Sequence, residues 1–240
     1  MTITAAEFAA ACLDHFHQHQ FAEANERARL GLEQFPEDGL LWQLHGNACW
    51  FLRDYETARS ALETASALVP LQPLARCALA GSYAHTGEPL FAKETYVELL
   101  QDERCPAALL PRIAVGLGQL GEWWLALQTC RKLARLQPNH HAALFGLAYY
   151  MARLEYPSEC YLRHLLRAHQ LAPELLTYRV NLACLLAGMG QQEQAYELVR
   201  QVPAERIGCA CWVRRIAAIA EQAGDETLQR VYEERLAQLR

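Results

Sequence analysis

Three glycines have the spacing of a turn that binds a dinucleotide: Gly116, Gly118 and Gly121. Such a turn works where it follows a β-strand and opens a helix, because the helix N-terminus then supplies amide donors to the pyrophosphate. In this chain the three glycines close a predicted helix instead. The sequence therefore indicates no nucleotide cofactor at this motif, and no other cofactor is expected.

Histidines are the next residues with possible chemistry, at His15, His17 and His19. If all three lay on one helix, only His15 and His19 would share a face, since they are four residues apart. Two imidazoles without a third ligand nearby make a poor zinc site. We interpret the run as a solvated helix end and expect no metal. His140 and His141, at the start of a predicted helix, have the same interpretation.

Cysteines supply a third candidate, the pair Cys209 and Cys211 near a predicted helix start, a place where redox proteins often have a reactive thiol. Redox sites usually have two residues between the thiols and an αβ scaffold, and both are missing here. The nine cysteines are an odd number and are spread along the whole chain. We expect free thiols in a reducing compartment, with Cys12, Cys49 and Cys130 buried as small apolar residues.

Catalytic motifs are not evident elsewhere in the sequence. None of the four serines lies in a nucleophile elbow, and there is no phosphate-binding loop with a lysine. No segment matches a zinc-binding helix with two histidines or a calcium-binding loop. We therefore expect a protein that is not an enzyme.

Composition limits the remaining classes of function. Hydrophobic residues make up 52% of the 240 residues, and the net charge of −5 argues against a nucleic-acid partner. The first residues lack the basic start of a signal peptide, and no segment has about 18 consecutive apolar residues that would span a membrane. The sequence predicts a soluble, cytoplasmic protein with no membrane partner.

A single period of 34 residues organises the chain. It relates alanines, prolines and glycines, which makes a chance repeat improbable. The positions are Ala24, Ala58, Ala92 and Ala126; Pro36, Pro70 and Pro138; and Gly87 and Gly121.

This pattern resembles the tetratricopeptide repeat, whose 34 residues form two antiparallel helices. The clearest unit begins at Gly39 and has the family's motif residues Trp42, Gly46, Ala58, Leu62, Ala65 and Pro70. The resemblance implies an all-α fold, a right-handed superhelical solenoid of about fourteen antiparallel helices forming one domain over residues 1–240. The approximate repeats are 5–38, 39–72, 73–106, 107–140, 141–175, 176–206 and 207–240. The fifth repeat needs one extra residue in its turn.

Two neighbouring repeat families are alternatives to this assignment. Pentatricopeptide repeats have a period of 35 residues and bind RNA, which the acidic balance of the chain disfavours. Sel1-type repeats are longer and contain more glycine than this sequence has.

The resemblance also implies which residues face a ligand, because four positions of each first helix line the concave face in this family. In this chain the proposed groove contains Gln43, Asn47, Trp50, Cys77, Phe145 and Tyr149. The set is uncharged, and only Asn47 matches the lysine-and-asparagine clamp that binds heat-shock chaperone C-termini. We expect an apolar peptide or helix as the ligand, bound with weak dependence on salt. The alternative is that these aromatic residues only pack between repeats.

The function predicted from the sequence is a non-catalytic protein–protein interaction module, such as a scaffold, an adaptor or a chaperone-like protein. An alternative from another class is a self-assembling solenoid that acts through homo-oligomerisation. An enzyme or cofactor-binding protein is the least favoured reading of the motifs.

The repeat register makes a prediction about stability. Replacing Ala58 with leucine should lower the free energy of unfolding by roughly 1–3 kcal/mol, because the larger side chain overpacks a close helix crossing. Ala92 should respond in the same way. Thermal unfolding measures the change, and an unchanged melting temperature for Ala58→Leu would show that the register is wrong.

Overall fold

The computed structural model of the protein describes residues 4–239, and all of the regular secondary structure in this range is helical. It contains fourteen α-helices and two short 3-10 turns, Ala107–Leu109 and Ala204–Arg206. The prediction of an all-α chain with about fourteen helices is confirmed. Consecutive helices pack as pairs joined by short turns.

The first helices of the pairs are α1 (Ala5–His17), α3 (Gly39–Phe51), α5 (Pro73–His85), α7 (Leu110–Gln119), α9 (His141–Arg153), α11 (Leu176–Gly188) and α13 (Ala210–Gln222). The second helices are α2 (Phe21–Gln34), α4 (Tyr55–Leu68), α6 (Pro89–Gln101), α8 (Trp123–Leu136), α10 (Ser158–Leu171), α12 (Gln192–Val199) and α14 (Glu226–Gln238). Each predicted repeat range encloses one first helix and one second helix.

Helix starts follow the expected capping chemistry. Thr4 and Glu7 form a reciprocal capping box, in which the backbone N–H of Thr4 donates to Oε2 of Glu7 at 2.7 Å. Asp225 accepts a hydrogen bond from the backbone N–H of Leu228 at 2.9 Å and caps α14. The repeated prolines Pro36 and Pro70 each lie two residues beyond the end of a second helix, where they prevent its continuation.

A left-handed residue ends the first helix of every pair. The seven residues are His19, Arg53, Gly87, Gly121, Glu155, Gly190 and Gly224, with φ between 58° and 83°. After each of them, the next backbone N–H donates to the carbonyl five residues earlier at 2.9–3.0 Å. This is a Schellman motif, which satisfies carbonyls that the end of the helix leaves unpaired.

The turn of the fifth pair contains the extra residue that the sequence predicted. In six pairs the second helix begins two residues after the left-handed residue, whereas α10 begins at Ser158, three residues after Glu155. The additional residue lies in the segment of Tyr156 and Pro157 that leads into α10.

Small residues bring the helices of a pair close together. A Cβ added to Gly46 of α3 would lie 2.5 Å from Cγ of Leu62 and 3.2 Å from the backbone oxygen of Ala58, both in α4. Ala58, Leu62 and Ala92 are completely buried. The side chains at these positions therefore have no free space, which agrees with the predicted close crossing.

Contacts divide the chain into two compact units, and α8 runs across the division. The N-terminal unit ends at Thr129 and the C-terminal unit begins at Cys130. The core of the C-terminal unit combines residues of α9 to α14, among them the completely buried Val180, Ile216 and Tyr232. The Tyr232 hydroxyl donates to the carbonyl of Val202 at 2.7 Å, so this buried phenol has a partner.

The left-handed turns give a prediction with an internal control. Glu155→Gly should raise the free energy of unfolding by about 0.5–1 kcal/mol, because glycine removes the cost of a left-handed conformation at a side chain with open surroundings. Gly121→Ala should lower it by about 1 kcal/mol for the same reason. A methyl group at Gly121 would meet no atom within 4 Å, so that loss would report backbone strain alone. Urea unfolding measures both, and a destabilised Glu155→Gly protein would contradict the explanation.

Candidate functional site

The six residues predicted to line a groove fall into two groups. Gln43, Asn47 and Cys77 are buried in the N-terminal unit, with 2%, 5% and 0% of their surface exposed. Trp50 and Phe145 are half-buried, and Tyr149 is 37% exposed. Only the aromatic members of the predicted set therefore keep surface that a ligand can contact.

Gln43 has a structural partner. Its Oε1 accepts a hydrogen bond from the backbone N–H of Gln72 at 2.8 Å, which fixes the segment between α4 and α5. Asn47, one turn further along α3, has a buried Oδ1 for which no hydrogen-bond donor is found in the described part of the chain. Gln43 therefore stabilises the fold, whereas Asn47 has a buried acceptor without a donor in the described part of the chain.

Trp50 packs against the next helix pair, and an arginine side chain lies over its ring. A Cβ added to Gly81 of α5 would lie 2.7 Å from Nε1 of Trp50, so the indole is seated on a gap left by that glycine. The Arg112 guanidinium of α7 lies 5.0 Å from the Trp50 ring centroid and 4.8 Å from that of Phe51.

Burial raises the pKa of the Cys77 thiol to about 12, although Arg112 acts in the opposite direction. Cys77 therefore remains protonated at neutral pH.

The C-terminal unit brings the other two predicted aromatics together in a cleft of about 310 Å³, hereafter the α9–α11 cleft. Side chains from α9, α10, α11 and α13 contribute to it. The lining residues are Phe145, Ala148, Tyr149, Ala152, Ser158, Tyr161, Leu165, Asn181, Cys184, Leu185, Gly188 and Arg215. Eight of these are apolar or aromatic, and Arg215 is the only charged one.

A stack of rings forms one wall of this cleft. The ring of Phe145 lies between those of Tyr178 and Tyr149, with centroid distances of 4.6 Å and 6.2 Å. His141 fixes the ring of Tyr178, since its Nδ1 and the Tyr178 hydroxyl are 2.9 Å apart. Arg153 donates to the Tyr149 hydroxyl at 3.1 Å and lies 5.4 Å from its ring centroid. The wall is therefore ordered before any ligand binds.

Arg215 forms the polar edge of the cleft together with Cys184. Burial raises the pKa of the Cys184 thiol, and a hydrogen bond with Arg215 partly opposes this rise. A second cleft of about 410 Å³ continues on the other side of Arg215, and the two share Cys184, Gly188 and Arg215. The guanidinium thus stands where two depressions of the surface meet.

The fifth pair departs from the repeat at the position of the cleft. At the place in the second helix where α2, α4, α6, α8 and α12 have alanine, α10 has Tyr161. Alanine adds little bulk where the two helices of a pair cross, whereas a tyrosine places a large ring at this point of α10. Tyr161 itself lines the cleft, and its hydroxyl lies 3.4 Å from Oγ of Ser158. The departure from the repeat and the cleft therefore occur at the same pair.

Sequence reasoning missed the arginines of both units, because it treated the groove as uncharged. Arg215 lies 34 residues after Asn181, and both line the α9–α11 cleft. Both stand nine residues before the left-handed glycine of their pair, a place outside the four family positions, so the list of groove positions did not include them. Arg153 was detectable as the residue one turn beyond Tyr149. Arg112 stands nine residues before Gly121, at the same place in its own pair, and had no signal either.

The other motifs have structural roles. Gly116 and Gly118 lie in α7 and Gly121 in the turn after it, so the glycine motif ends a helix as predicted. His19 lies beyond the end of α1 in a left-handed conformation, so it does not share a helical face with His15. His15 instead lies 2.8 Å from Oε1 of Gln20.

The nine cysteines lie in the described part of the chain and have free thiols. Cys12, Cys49 and Cys130 are buried, as predicted, while Cys209 and Cys211 are exposed at the start of α13. Between residues 4 and 239, no group of three or more His, Cys, Asp or Glu side chains is arranged to hold a metal ion. Within the same range, no helix has the length and apolar character needed to cross a membrane.

Comparison with solved structures identifies the fold. PilF of Pseudomonas aeruginosa superposes on 82% of this chain and 90% of its own, with a TM-score of 0.69 and 19% identity. A tetratricopeptide repeat protein from Parabacteroides merdae covers 98% of this chain and 93% of its own, with a TM-score of 0.67 and 16% identity. In the Cut9–Hcn1 hetero-tetramer of the APC/C, the match covers 92% of this chain and 45% of the other, with a TM-score of 0.68 and 16% identity.

No protein-family model matches the sequence, and no curated protein matches it either. The structural matches nevertheless confirm the fold class, an all-α array of tetratricopeptide-type helix pairs. Such an array is the scaffold that positions the α9–α11 cleft.

The ring stack separates two residues that the sequence treated alike. Phe145→Ala should lower the free energy of unfolding by about 2–4 kcal/mol, because the ring packs on the core of the C-terminal unit and between two tyrosines. Tyr149→Ala should cost about 1 kcal/mol, since that ring is at the exposed end of the stack. Urea unfolding followed by far-UV circular dichroism measures both. Equal losses would contradict the assignment of Phe145 as the structural member.

Proposed function

We propose that this protein is a non-catalytic interaction module that holds an apolar segment of another protein in the α9–α11 cleft. The observation that carries this proposal is the ordered aromatic wall of Phe145 and Tyr149 beside an open, mostly apolar depression. Aromatic residues that are fixed before binding lose little entropy when a partner covers them, and they dominate the energetics of many interfaces.

The size of the cleft suits side chains of a peptide. Its volume of about 310 Å³ is at the small end of the roughly 300–1,000 Å³ found for ligand clefts. One or two apolar side chains of an extended or helical segment fit such a space, while the rest of the segment contacts the helices around it. This supports a peptide ligand, in a role as scaffold, adaptor or chaperone-like protein.

The chemistry of the lining supports a binding role over catalysis. Cys184 is the one thiol in the cleft, and burial raises its pKa, which disfavours the thiolate that nucleophilic attack requires. The hydroxyl of Ser158 lies 3.4 Å from the hydroxyl of Tyr161, and no basic side chain of residues 4–239 hydrogen-bonds to it. Free thiols are consistent with a reducing environment, and we propose a cytoplasmic location.

Assembly with another protein is also seen among the structural neighbours. The match in the Cut9–Hcn1 structure is to a chain of a hetero-tetramer, so a related array of helices works there within a protein complex. This supports a protein partner for the present chain without indicating which one.

A second candidate function is self-assembly, which the distribution of charge favours. Residues 1–129 contain eight Lys and Arg and sixteen Asp and Glu, a net charge of −8. Residues 130–240 contain fourteen and eleven, a net charge of +3. Opposite charges on the two units favour head-to-tail contacts between copies. Sedimentation at increasing protein concentration distinguishes this candidate, since a chain that stays monomeric excludes it.

The binding proposal predicts that Tyr149 is a main anchor. Short peptides are selected from a random displayed library against the full chain, and their affinities are measured with purified variants. Tyr149→Ala should weaken binding by about 2 kcal/mol, roughly thirtyfold, because the ring is the exposed part of the wall. Trp50→Ala tests the face of the N-terminal unit in the same assay.

Phe91 supplies the control, since its ring is 54% exposed in α6 of the N-terminal unit and does not line the cleft. Phe91→Ala should leave the affinity unchanged. If no peptide is selected, or if Tyr149→Ala binds as well as the unchanged protein, the α9–α11 cleft is not the binding site.

A further inference from the structure

We infer that the segment held in the α9–α11 cleft has a carboxylate beside its apolar anchor, and that Arg215 is the residue that recognises it. This inference rests on the proposed function and adds the chemistry of the partner. The ligand class is an acidic–apolar peptide segment, in which an Asp or Glu stands next to a residue such as Leu, Ile or Phe.

The position of Arg215 is the first support. It lines both the α9–α11 cleft and the second cleft beside it, so its guanidinium is reachable from either side. Among all residues that line the two clefts, Arg215 is the only charged one. A ligand carboxylate near this point would therefore meet a cation and no competing anion.

The second support is that Arg215 has no ion-pair partner. Between residues 4 and 239, no Asp or Glu lies within ion-pair distance of its guanidinium. Arg76 and Arg59 do have such partners, Asp102 at 2.9 Å and Glu63 at 3.0 Å, whereas Arg214 on the same helix as Arg215 has none in this range. What distinguishes Arg215 from Arg214 is its place at the edge of an apolar cleft, where the donors not used by Cys184 remain for a ligand.

The charge of the surrounding unit has the matching sign. Residues 130–240 carry a net charge of +3 within a chain whose total is −5. An acidic segment is thus attracted to the unit that contains the cleft and repelled by residues 1–129. The wider field and the local cation both favour the same kind of ligand.

A carboxylate fits this site better than a phosphorylated residue. One planar guanidinium binds one carboxylate through two parallel hydrogen bonds, whereas phosphorylated motifs are usually recognised by clusters of arginines. Arg153, on the wall of the cleft, is already hydrogen-bonded to the Tyr149 hydroxyl. That leaves Arg215 as the single cation among the lining residues.

The test uses the full chain and a fluorescent synthetic peptide of the best sequence selected from the random library. The peptide is made in its selected form and with every Asp and Glu replaced by the matching amide. Fluorescence polarisation should show that the acidic form binds at least about tenfold more tightly, because it gains charge-assisted hydrogen bonds. Added salt should weaken the acidic form and leave the amide form almost unchanged.

Variants of α13 assign the effect to one side chain. Arg215→Gln should weaken the acidic peptide about tenfold and leave the amide peptide unchanged, and Arg215→Lys should recover part of the loss. Arg214 is the matched control, since it is exposed on the same helix, donates to the Ala210 carbonyl and lines neither cleft. Arg214→Gln should bind both peptides normally. Circular dichroism and the unfolding midpoint establish that each variant is folded.

Several results would overturn the inference while leaving the proposed function intact. One is equal affinity for the acidic and amide peptides, with both still lost in Tyr149→Ala. Another is a preference for the acidic form that Arg215→Gln does not change. A chain that self-associates, and loses this property in Arg215→Gln, would show that a second copy supplies the carboxylate. Failure of Tyr149→Ala to weaken any peptide would instead contradict the proposed function itself.

Discussion

The left-handed residue at the end of each first helix is the constraint on which the rest of this structure depends. It reverses the chain within two or three residues, so that the second helix returns along the first. The hydrogen bond from the following N–H closes each turn with nearly the same geometry in all seven pairs. Because the turns are alike, residues 34 apart occupy equivalent places in successive pairs. The common face of the first helices follows from this repetition.

Much of this was predictable from the sequence because glycine, alanine and proline report backbone constraints directly. Gly87 and Gly121 marked left-handed turns, and Ala58 marked a helix crossing without free space. The same turn at Arg53 had no such signal, since arginine is not among the residue types enriched in a left-handed backbone, and His19 gave only a weak one. The closing hydrogen bonds and the packing of each pair maintain that conformation, and these become visible only in three dimensions.

The binding face was harder to predict. The family positions indicate which way a side chain points, but they do not indicate how deeply neighbouring residues bury it. Gln43 and Cys77 occupy positions that face a ligand in the family, yet here neighbouring pairs bury them. Phe145 and Tyr149 follow the same rule and do reach a cleft. The difference lies in the adjoining side chains. Gly81 admits the Trp50 indole into the N-terminal unit, whereas the C-terminal unit remains open beside Tyr149.

The fifth pair, which departs from the repeat, contributes to the cleft. A regular repeat would have an alanine in α10 where Tyr161 stands, and its turn would be one residue shorter before Ser158. Both departures lie in the same pair, and both residues line the cleft. In an array whose stability comes from close and repeated packing, a bulky residue at a crossing costs packing energy. A local loss of regularity beside an apolar opening is the kind of compromise that binding sites require, and here the edge of the opening has an arginine with no ion-pair partner among residues 4–239. Since that arginine comes from α13, the last helix pair contributes to the site in addition to closing the end of the core.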